Sequence, residues 1–304
     1  MRVVFMGTPD FAVPSLQALD EAYEVVAVVT RPDAVRGRGK KLEPSPVKRR
    51  AEALGLLVIE TKRMTPEVVD RLRALQPDIL CVAAFGCILP DAVLDLAPLG
   101  CVNVHASLLP RWRGAAPVPR AVLAGDAEVG VSIMEVVPEL DAGRYCLVGS
   151  VPAEGKTASQ LLGELSCIGA ELLVQAVRDI ADGTVAWAEQ DESRVTYADK
   201  ISKAEMRLDP EDTFLANLRR VLASSDAAPA RLSVAGKGMR VLAAQAAEGC
   251  AAPGTVSVDH GRVTLGCSDG TLELLEVKPD GKRAMTAREW AAGVQGTVLP
   301  WQKL

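Results

Sequence analysis

Short apolar runs alternate with longer amphipathic stretches through the first 114 residues of the chain. The runs are rich in valine and predict strands, while apolar positions three or four apart in the stretches between them predict helices. The predicted strands cover residues 2–6, 24–30, 56–59, 78–84 and 101–105. Strands that alternate with helices form parallel sheets covered on both faces, so we expect an α/β fold with a doubly wound, mostly parallel sheet.

The pattern becomes mixed after residue 114. A short helix over 115–124, strands over 130–137 and 144–151 and a long amphipathic helix over 157–182 complete the first region. Thr157 and Gln160 form a capping box at the start of the long helix, and Gly183 ends it. Residues 190–210 are polar and weakly periodic, which is typical of a linker.

Short strands separated by turns dominate the remaining residues. They are predicted at 231–235, 239–245, 254–258, 262–266 and 271–278, between helices near 211–223 and 286–292. This spacing is typical of a small β-barrel. We therefore expect a first domain over residues 1–189, a linker over 190–210 and a C-terminal barrel domain over 211–304.

Composition limits the classes of protein to which the chain can belong. Its 304 residues carry a net charge of −5, which argues against wholesale binding along nucleic acid but not against a local basic patch. Seven scattered cysteines lack any C-x-x-C pair, so we expect reduced, buried thiols and no metal site. No signal peptide precedes the first strand, and no apolar run approaches the roughly 18 residues that a bilayer requires. We expect a soluble, cytoplasmic protein without a membrane partner, and nothing demands more than a monomer.

Two polar residues at the end of the strand over 101–105 are the strongest candidates for chemistry. Asn103 and His105 are two residues apart and share one face of the strand, at the edge where open α/β sheets bind ligands. An amide N–H can stabilise a developing oxyanion, and an imidazole can accept the proton of an attacking amine. Asp141, in a turn between two predicted strands, is a candidate to hold the imidazolium. From spacing alone, a core histidine and a turn-forming aspartate explain these residues equally well.

Two other reaction types are disfavoured because their motifs are missing. Ser107 follows the pair of polar residues but lacks the G-x-S-x-G turn that exposes a serine nucleophile in α/β-hydrolases. Residues 7–11 lie where a dinucleotide fingerprint would lie, but they lack G-x-G-x-x-G. A dehydrogenase is therefore disfavoured despite the predicted sheet.

A basic segment follows the second predicted strand, in a loop over residues 31–44. Two glycines separate its cations, which are Arg36, Arg38, Lys40 and Lys41. Glycine lets a backbone follow a curved polyanion, while arginine and lysine replace its counterions. A solvated surface loop is the alternative, but the length and glycine content of this loop favour contact with a phosphate backbone.

Several segments resemble the methionyl-tRNA formyltransferase family, and the resemblance covers nearly the whole chain. The most specific is Asn103-x-His105-x-Ser107-Leu108-Leu109-Pro110 with Arg113-Gly114-Ala115-Ala116-Pro117 behind it, the motif of folate-dependent formyltransferases. The others are Phe5-Met6-Gly7-Thr8-Pro9-Asp10-Phe11-Ala12, Leu140-Asp141-Ala142-Gly143 and Lys200-Ile201-Ser202-Lys203. The basic segment resembles the loop that this family extends toward the acceptor stem of initiator tRNA.

The resemblance implies a Rossmann-like formyltransferase domain followed by an OB-like, tRNA-binding barrel. It implies 10-formyltetrahydrofolate as the donor and the α-amine of initiator methionyl-tRNA as the acceptor, for translation initiation. Asn103, His105 and Asp141 would be the catalytic residues. The folate site would be walled by Ser107, Leu108, Leu109 and Pro110, with backbone contacts from Phe85, Gly86, Cys87, Ile88 and Leu89. Arg38 would be the loop residue most needed for tRNA.

Two segments depart from the family pattern. Arg144 stands where relatives usually carry aspartate, and residues 224–229 replace a Pro-Trp-Pro-like segment. Two alternative functions are a formyltransferase acting on a small amine, such as an amino-sugar nucleotide or glycinamide ribonucleotide, and a non-catalytic tRNA-binding homologue. The basic loop and the barrel argue against the first alternative. The intact set of Asn103, His105 and Asp141 argues against the second.

Overall fold

Residues 1–36, 41–249 and 251–304 are described by the structure, a computed structural model of the chain. The chain divides into two units. The first unit contains Met1–Pro117, Glu128–Pro152 and Leu162–Ala198, and the second contains Val118–Ala127, Ala153–Leu161 and Asp199–Leu304. The domain limits expected at residues 189 and 210 stay a prediction.

The first unit is built on strands that alternate with helices. Its strands are β1 (Arg2–Gly7), β2 (Glu24–Thr30), β3 (Ala34–Arg36), β4 (Lys41–Glu43), β5 (Val58–Glu60), β6 (Ile79–Ala83), β7 (Cys101–His105), β8 (Arg113–Gly114), β9 (Glu128–Glu135), β10 (Tyr145–Pro152) and β11 (Tyr197–Ala198). The helices up to residue 181 are α1 (Val13–Ala22), α2 (Pro46–Ala53), α3 (Pro66–Ala74), α4 (Asp91–Leu94), α5 (Pro117–Ala124) and α6 (Ala158–Ala181). The predicted strands at 24–30 and 101–105 are confirmed to the residue.

Seven of these strands form one sheet in the order β10-β9-β7-β6-β1-β2-β5. The pairs β1–β2, β1–β6, β2–β5 and β6–β7 are parallel, whereas β9 and β10 are antiparallel additions at one edge. The expected doubly wound, mostly parallel, Rossmann-like sheet is confirmed. The strand order reverses between β1 and β6, so the ligand-binding crevice of such a sheet lies at the carboxyl ends of β1, β6 and their neighbours.

Burial and capping explain why these segments take their places. All five residues of β6 are buried, as a parallel strand covered on both faces requires. Ser45 caps α2 by accepting the Lys48 N–H at 3.0 Å. The capping box at α6 is confirmed, since Thr157 N–H donates to Gln160 Oε1 at 2.8 Å and Gln160 N–H donates to Thr157 Oγ1 at 3.2 Å. Among the described helices, α6 has the length and hydropathy of a membrane span, features that a core helix of a soluble protein shares.

The second unit contains a closed antiparallel barrel. Its strands are β12 (Arg231–Val234), β13 (Lys237–Ala247), β14 (Thr255–Asp259), β15 (Arg262–Gly266), β16 (Thr271–Pro279), β17 (Met285–Thr286) and β18 (Val298–Gln302), and its helices include α7 (Phe214–Leu222) and α8 (Ala287–Ala292). The order β13-β12-β18-β14-β15-β16 closes through a pairing of β13 with β16. The predicted barrel is confirmed.

The strand β18 was not predicted. It contains Pro300, which lacks an N–H and usually excludes a central strand. Here the Pro300 carbonyl accepts the Ala235 N–H at 2.8 Å, and the next residue, Trp301, donates its backbone N–H to Gly254 at 2.8 Å. The Trp301 side chain is buried and its indole N–H donates to Gly266 at 3.1 Å, so burial of one large aromatic side chain secures this strand.

Candidate active site

The carboxyl end of β7 places Asn103 and His105 on one face, as predicted. Asn103 is half-buried, while His105 is 5% exposed. His105 pairs across the sheet with Ser132 of β9, and Asn103 pairs with Val82 of β6. The amide and the imidazole therefore lie on β7, one strand away from the strand-order reversal.

Each nitrogen of the His105 ring faces an oxygen atom, and one of them makes a hydrogen bond. Its Nε2 lies 3.0 Å from the carbonyl oxygen of Trp112, and its Nδ1 lies 3.7 Å from Asp141 Oδ2. A carbonyl oxygen only accepts hydrogen bonds, so the neutral ring carries its proton on Nε2. Its basic nitrogen is then Nδ1, on the side of Asp141. A proton taken up at Nδ1 creates an imidazolium directly opposite the carboxylate.

Asp141 lies in the turn between β9 and β10 with a positive φ of 49°. Its Oδ2 accepts the backbone N–H of Gly114 at 2.8 Å, which fixes the carboxylate beside His105. Two residues later only glycine fits, because a Cβ at Gly143 would overlap the carbonyl oxygen of Glu135. The structure thus brings the predicted histidine and aspartate together although 35 residues of sequence separate them.

Residues 107–110 form a tight turn after β7. The Ser132 hydroxyl, fully buried, donates to the Ser107 carbonyl at 2.7 Å and accepts the Leu109 N–H at 3.3 Å. Leu108 packs on Gly130, where a Cβ would overlap its side chain. The Ser107 hydroxyl is buried and has no hydrogen-bond partner among the described residues. The predicted folate-wall residues Ser107, Leu108, Leu109 and Pro110 therefore share one fixed turn.

Residues 84–89 form the corresponding loop after β6. Ala84 and Gly86 have positive φ angles of 46° and 76°. The loop is fastened by the Thr8 hydroxyl, which donates to the Phe85 carbonyl at 3.0 Å, and by Arg31, which donates to the Gly86 carbonyl at 2.8 Å. Phe85 is buried, whereas Ile88 is 89% exposed. Because β6 and β7 are parallel neighbours, the predicted folate-contact residues Phe85, Gly86, Cys87, Ile88 and Leu89 lie at the same sheet edge as the turn over 107–110.

Arg144 has a defined place in the structure. Its guanidinium pairs with Glu135, with Nε 2.8 Å from Oε2, and lies over the Trp187 ring at 4.9 Å from the centroid. The hydrogen bond to Glu135 raises the pKa of Arg144. The arginine therefore braces the base of the turn that carries Asp141.

The basic loop is described only at its two ends. Arg38 and Lys40 lie outside the described residues, and Arg36 and Lys41 end the short antiparallel pair β3–β4. The sequence predicts an irregular loop here, because two strands of three residues are too short to produce a readable alternation. Lys48, which continues the basic stretch, binds Asp33 at 2.8 Å and Glu60 at 3.0 Å at the base of this hairpin. These bonds raise the pKa of Lys48 and lower that of Asp33.

Sequence reasoning missed two polar residues that shape the site. Ser132 occurs within an apolar strand, where a serine has no distinguishing pattern. Gln190 occurs in the stretch assigned to the linker, yet it is 9% exposed and its side-chain amide donates to the carbonyls of Asp141 and Gly143. Neither residue has a sequence signal, because a hydrogen bond to a distant backbone leaves none.

Comparison with known proteins identifies relatives along the whole chain. A formyl transferase family model matches residues 1–177, and a formyl transferase C-terminal domain model matches residues 200–295. The chain is 44% identical over 299 residues to a methionyl-tRNA formyltransferase of Methylococcus capsulatus, covering 95% of this chain and 96% of the relative. It is 45% identical over 298 residues to one of Methylobacillus flagellatus, covering 96% of each.

Several solved structures have a fold similar to that of this chain. HypX from Aquifex aeolicus in complex with tetrahydrofolic acid has a TM-score of 0.66 at 18% identity, covering 95% of this chain and 46% of that one. WlaRD, a sugar 3N-formyl transferase, has a TM-score of 0.66 at 13% identity, covering 93% of this chain and 99% of that one. At these identities the likeness shows the fold alone.

Proposed function

The chain belongs to the methionyl-tRNA formyltransferase family, and from this premise we propose that it transfers a formyl group from 10-formyltetrahydrofolate to the α-amino group of initiator methionyl-tRNA. The product would serve translation initiation. One observation carries the chemistry: His105 Nδ1 and Asp141 Oδ2 lie 3.7 Å apart, next to Asn103 on β7, one strand from the strand-order reversal.

The three residues have separate roles in the proposed reaction. The donor supplies an activated formyl carbon. His105 accepts the proton that the attacking amine loses, a contribution of about 10²–10⁴-fold, and returns a proton to the departing nitrogen. Asp141 stabilises the imidazolium between these two transfers. The Asn103 amide donates to the formyl oxygen as it gains negative charge, which is worth about 3 kcal/mol for a well-placed donor.

The two loops at the carboxyl ends of β6 and β7 fit a folate. Ala84 and Gly86 are exposed residues whose backbone groups could bond the polar edge of a pterin ring, and the exposed Ile88 offers an apolar contact for its face. The turn with Ser107, Leu108, Leu109 and Pro110 forms the opposite wall of this proposed donor site. We propose that these loops hold the donor.

The acceptor tRNA would be bound by residues other than those of the two donor-site loops. We propose that Arg36, Arg38, Lys40 and Lys41 contact tRNA phosphates and that the OB-like barrel adds a second contact, as in the sequence-based prediction. The domain limits at 189 and 210, a monomeric state and a cytoplasmic location belong to the same proposal.

Competition between acceptors tests the proposed function. Purified protein is given 10-formyltetrahydrofolate with equal concentrations of charged initiator tRNA and glycinamide ribonucleotide, and both formylated products are quantified. We expect formyl-methionyl-tRNA to be the main product. Preferential formylation of the ribonucleotide would refute the assignment of the acceptor, and absence of both products would favour a non-catalytic tRNA-binding protein.

The basic loop can be tested through salt dependence. Replacing Arg38 with alanine removes one expected phosphate contact, so kcat/KM for tRNA should fall and the slope of log Kd against log salt should decrease by about 1. Arg71→Ala, on the exposed face of α3, is the matched control with the same change in charge. An unchanged slope for Arg38→Ala would show that this arginine does not bind phosphate.

A further inference from the structure

The segment over residues 188–198, here called the return segment, pairs with the backbone of two segments that surround the candidate site. Ala188 exchanges both backbone hydrogen bonds with Tyr145, at 2.8 and 3.1 Å. Thr196 accepts the Trp112 N–H on its hydroxyl and the Arg113 N–H on its carbonyl, each at 2.9 Å. The return segment therefore spans from the strand after Asp141 to the loop whose carbonyl binds His105.

Gln190 makes the central contacts of the return segment. Its side-chain Nε2 donates one N–H to the Asp141 carbonyl at 2.8 Å and the other to the Gly143 carbonyl at 2.7 Å. Both donors of the amide are thus bound to the turn that carries the carboxylate. Asp141 has a left-handed backbone, a conformation that non-glycine residues keep only where the surroundings hold it.

Arg113 fixes the orientation of the Gln190 amide. The Arg113 Nε donates to Gln190 Oε1 at 2.9 Å, and since guanidinium groups only donate, the amide must direct its oxygen here and its N–H groups toward the turn. The Arg113 side chain is 4% exposed and is itself anchored by Glu192 at 2.7 Å. A chain of hydrogen bonds thus runs from the exposed Glu192 through the buried side chains of Arg113 and Gln190 to the Asp141 backbone.

We propose that Gln190 is a positioning residue for the formyl transfer, which holds the Asp141 carboxylate against His105 and is oriented by Arg113. In this role it acts through its hydrogen bond to the Asp141 backbone. This inference rests on the proposed function, because it assumes that Asp141 works during turnover.

Gln190→Glu tests this role with little change in size. The carboxylate introduced by Gln190→Glu still accepts the hydrogen bond from Arg113, but it cannot donate to the carbonyls of Asp141 and Gly143. We expect kcat to fall roughly 10²-fold, the effect of a small displacement of a catalytic group, while KM for donor and tRNA stays within about two-fold. Gln295→Glu, an exposed residue of the second unit, is the matched control and should retain wild-type kinetics.

A double-mutant cycle separates positioning from general structural damage. If Gln190 acts through Asp141, Gln190→Glu should cause no further loss in an Asp141→Ala background, measured by single turnover. Losses that multiply in the double variant, or an unchanged kcat in a folded Gln190→Glu protein, would overturn the proposal. If Gln190→Glu does not fold, Gln190→Asn replaces it in the same double-mutant cycle. Asparagine keeps the amide donor and acceptor but is one methylene shorter, and the same two outcomes decide the proposal.

The experiment also separates this inference from the proposed function. A wild-type protein that does not formylate methionyl-tRNA would refute the function and the role of Gln190 together. An active wild type with an equally active Gln190→Glu variant would refute only the role of Gln190.

Discussion

The two histidines of the chain each lie close to an aspartate, but in different surroundings. His105 Nδ1 is 3.7 Å from Asp141 Oδ2, and His260 Nε2 is 3.6 Å from Asp259 Oδ1. The side chains of the first pair are 6% and 18% exposed, whereas those of the second are 96% and 85% exposed. Distance therefore does not distinguish these pairs, and burial does.

Burial matters because water weakens an ion pair and leaves its side chains free to move. Around His105 and Asp141 little water competes with the carboxylate, and the Gly114 N–H holds it in place. The exposed pair in the barrel is screened, and exposed pairs contribute between zero and about 1 kcal/mol. Of the two pairs, the buried one has a carboxylate that a backbone N–H holds in place, so we expect it to be the pair that supports catalysis.

The largest expected difference between the two pairs is in catalysis. Asp141→Ala should lower kcat by about 10²–10⁴-fold, because the imidazolium formed during proton transfer loses its counter-charge. Affinity for tRNA should barely change. The matched variant Asp259→Ala should keep wild-type kcat and KM. Steady-state kinetics of both purified variants measure the contrast.

Two outcomes would contradict this expectation. A near-normal rate for Asp141→Ala would remove Asp141 from the mechanism. A large loss of kcat in Asp259→Ala would show that exposure is a poor guide to function in this chain.

A second contrast concerns the buried hydroxyl of Ser132, which makes two hydrogen bonds, and an exposed serine in the neighbouring strand. Ser132→Ala leaves the Leu109 N–H without its buried acceptor, so the free energy of unfolding should fall by about 1–3 kcal/mol. Ser150→Ala, at an exposed position of β10, should change it by less than about 0.5 kcal/mol. Denaturant titration of both variants measures the difference, and equal stabilities would mean that Ser132 does not hold the turn.

The smallest expected effect comes from a pair of intermediate exposure, Arg120 and Glu205 of the second unit. Their side chains are 21% and 42% exposed, with nitrogen and oxygen 2.7 Å apart. The hydrogen bond from Arg120 lowers the pKa of Glu205 from 4.5 to about 2. A lowered carboxyl pKa stabilises the folded state above the ordinary pKa, and this contribution is lost as the pH falls from about 5 toward 2.

Glu205→Gln should therefore destabilise the protein by about 0.5–1 kcal/mol at pH 7, after allowance for solvent screening. The difference from wild type should shrink as the pH approaches 3. Glu276→Gln, at an exposed position of β16, is the control with the same change in charge. A destabilisation by Glu205→Gln that stays constant down to pH 3 would contradict the pairing with Arg120.

Sequence patterns predicted the parts of the site that depend on local periodicity. Alternation in β7 placed Asn103 and His105 on one face, and a turn between two strands placed Asp141 near the same edge. Gln190 could not be predicted, since its role depends on two carbonyl oxygens nearly 50 residues away in sequence. Because a polar segment that contains a buried glutamine can have the same composition as a linker, composition alone did not reveal that Gln190 is buried.

The fold shows the same limit. The long parallel strands and the barrel strands have readable periods, and they were predicted within a few residues of their ends. The hairpin of β3 and β4 and the strand β18 were missed, because the first is too short for alternation and the second contains Pro300. In both cases pairing with a neighbour decides the structure, and single-sequence patterns do not contain that information.

The place of β18 between β12 and β14 affects the order in which the barrel can form during synthesis. Residues 231–279 leave the ribosome first and can pair among themselves, but the facing edges of β12 and β14 lack a partner until residues 298–302 follow. Unpaired strand edges are where chains associate wrongly. A slow stretch of translation just before residue 298 would therefore prolong the interval in which the nascent barrel is open to aggregation.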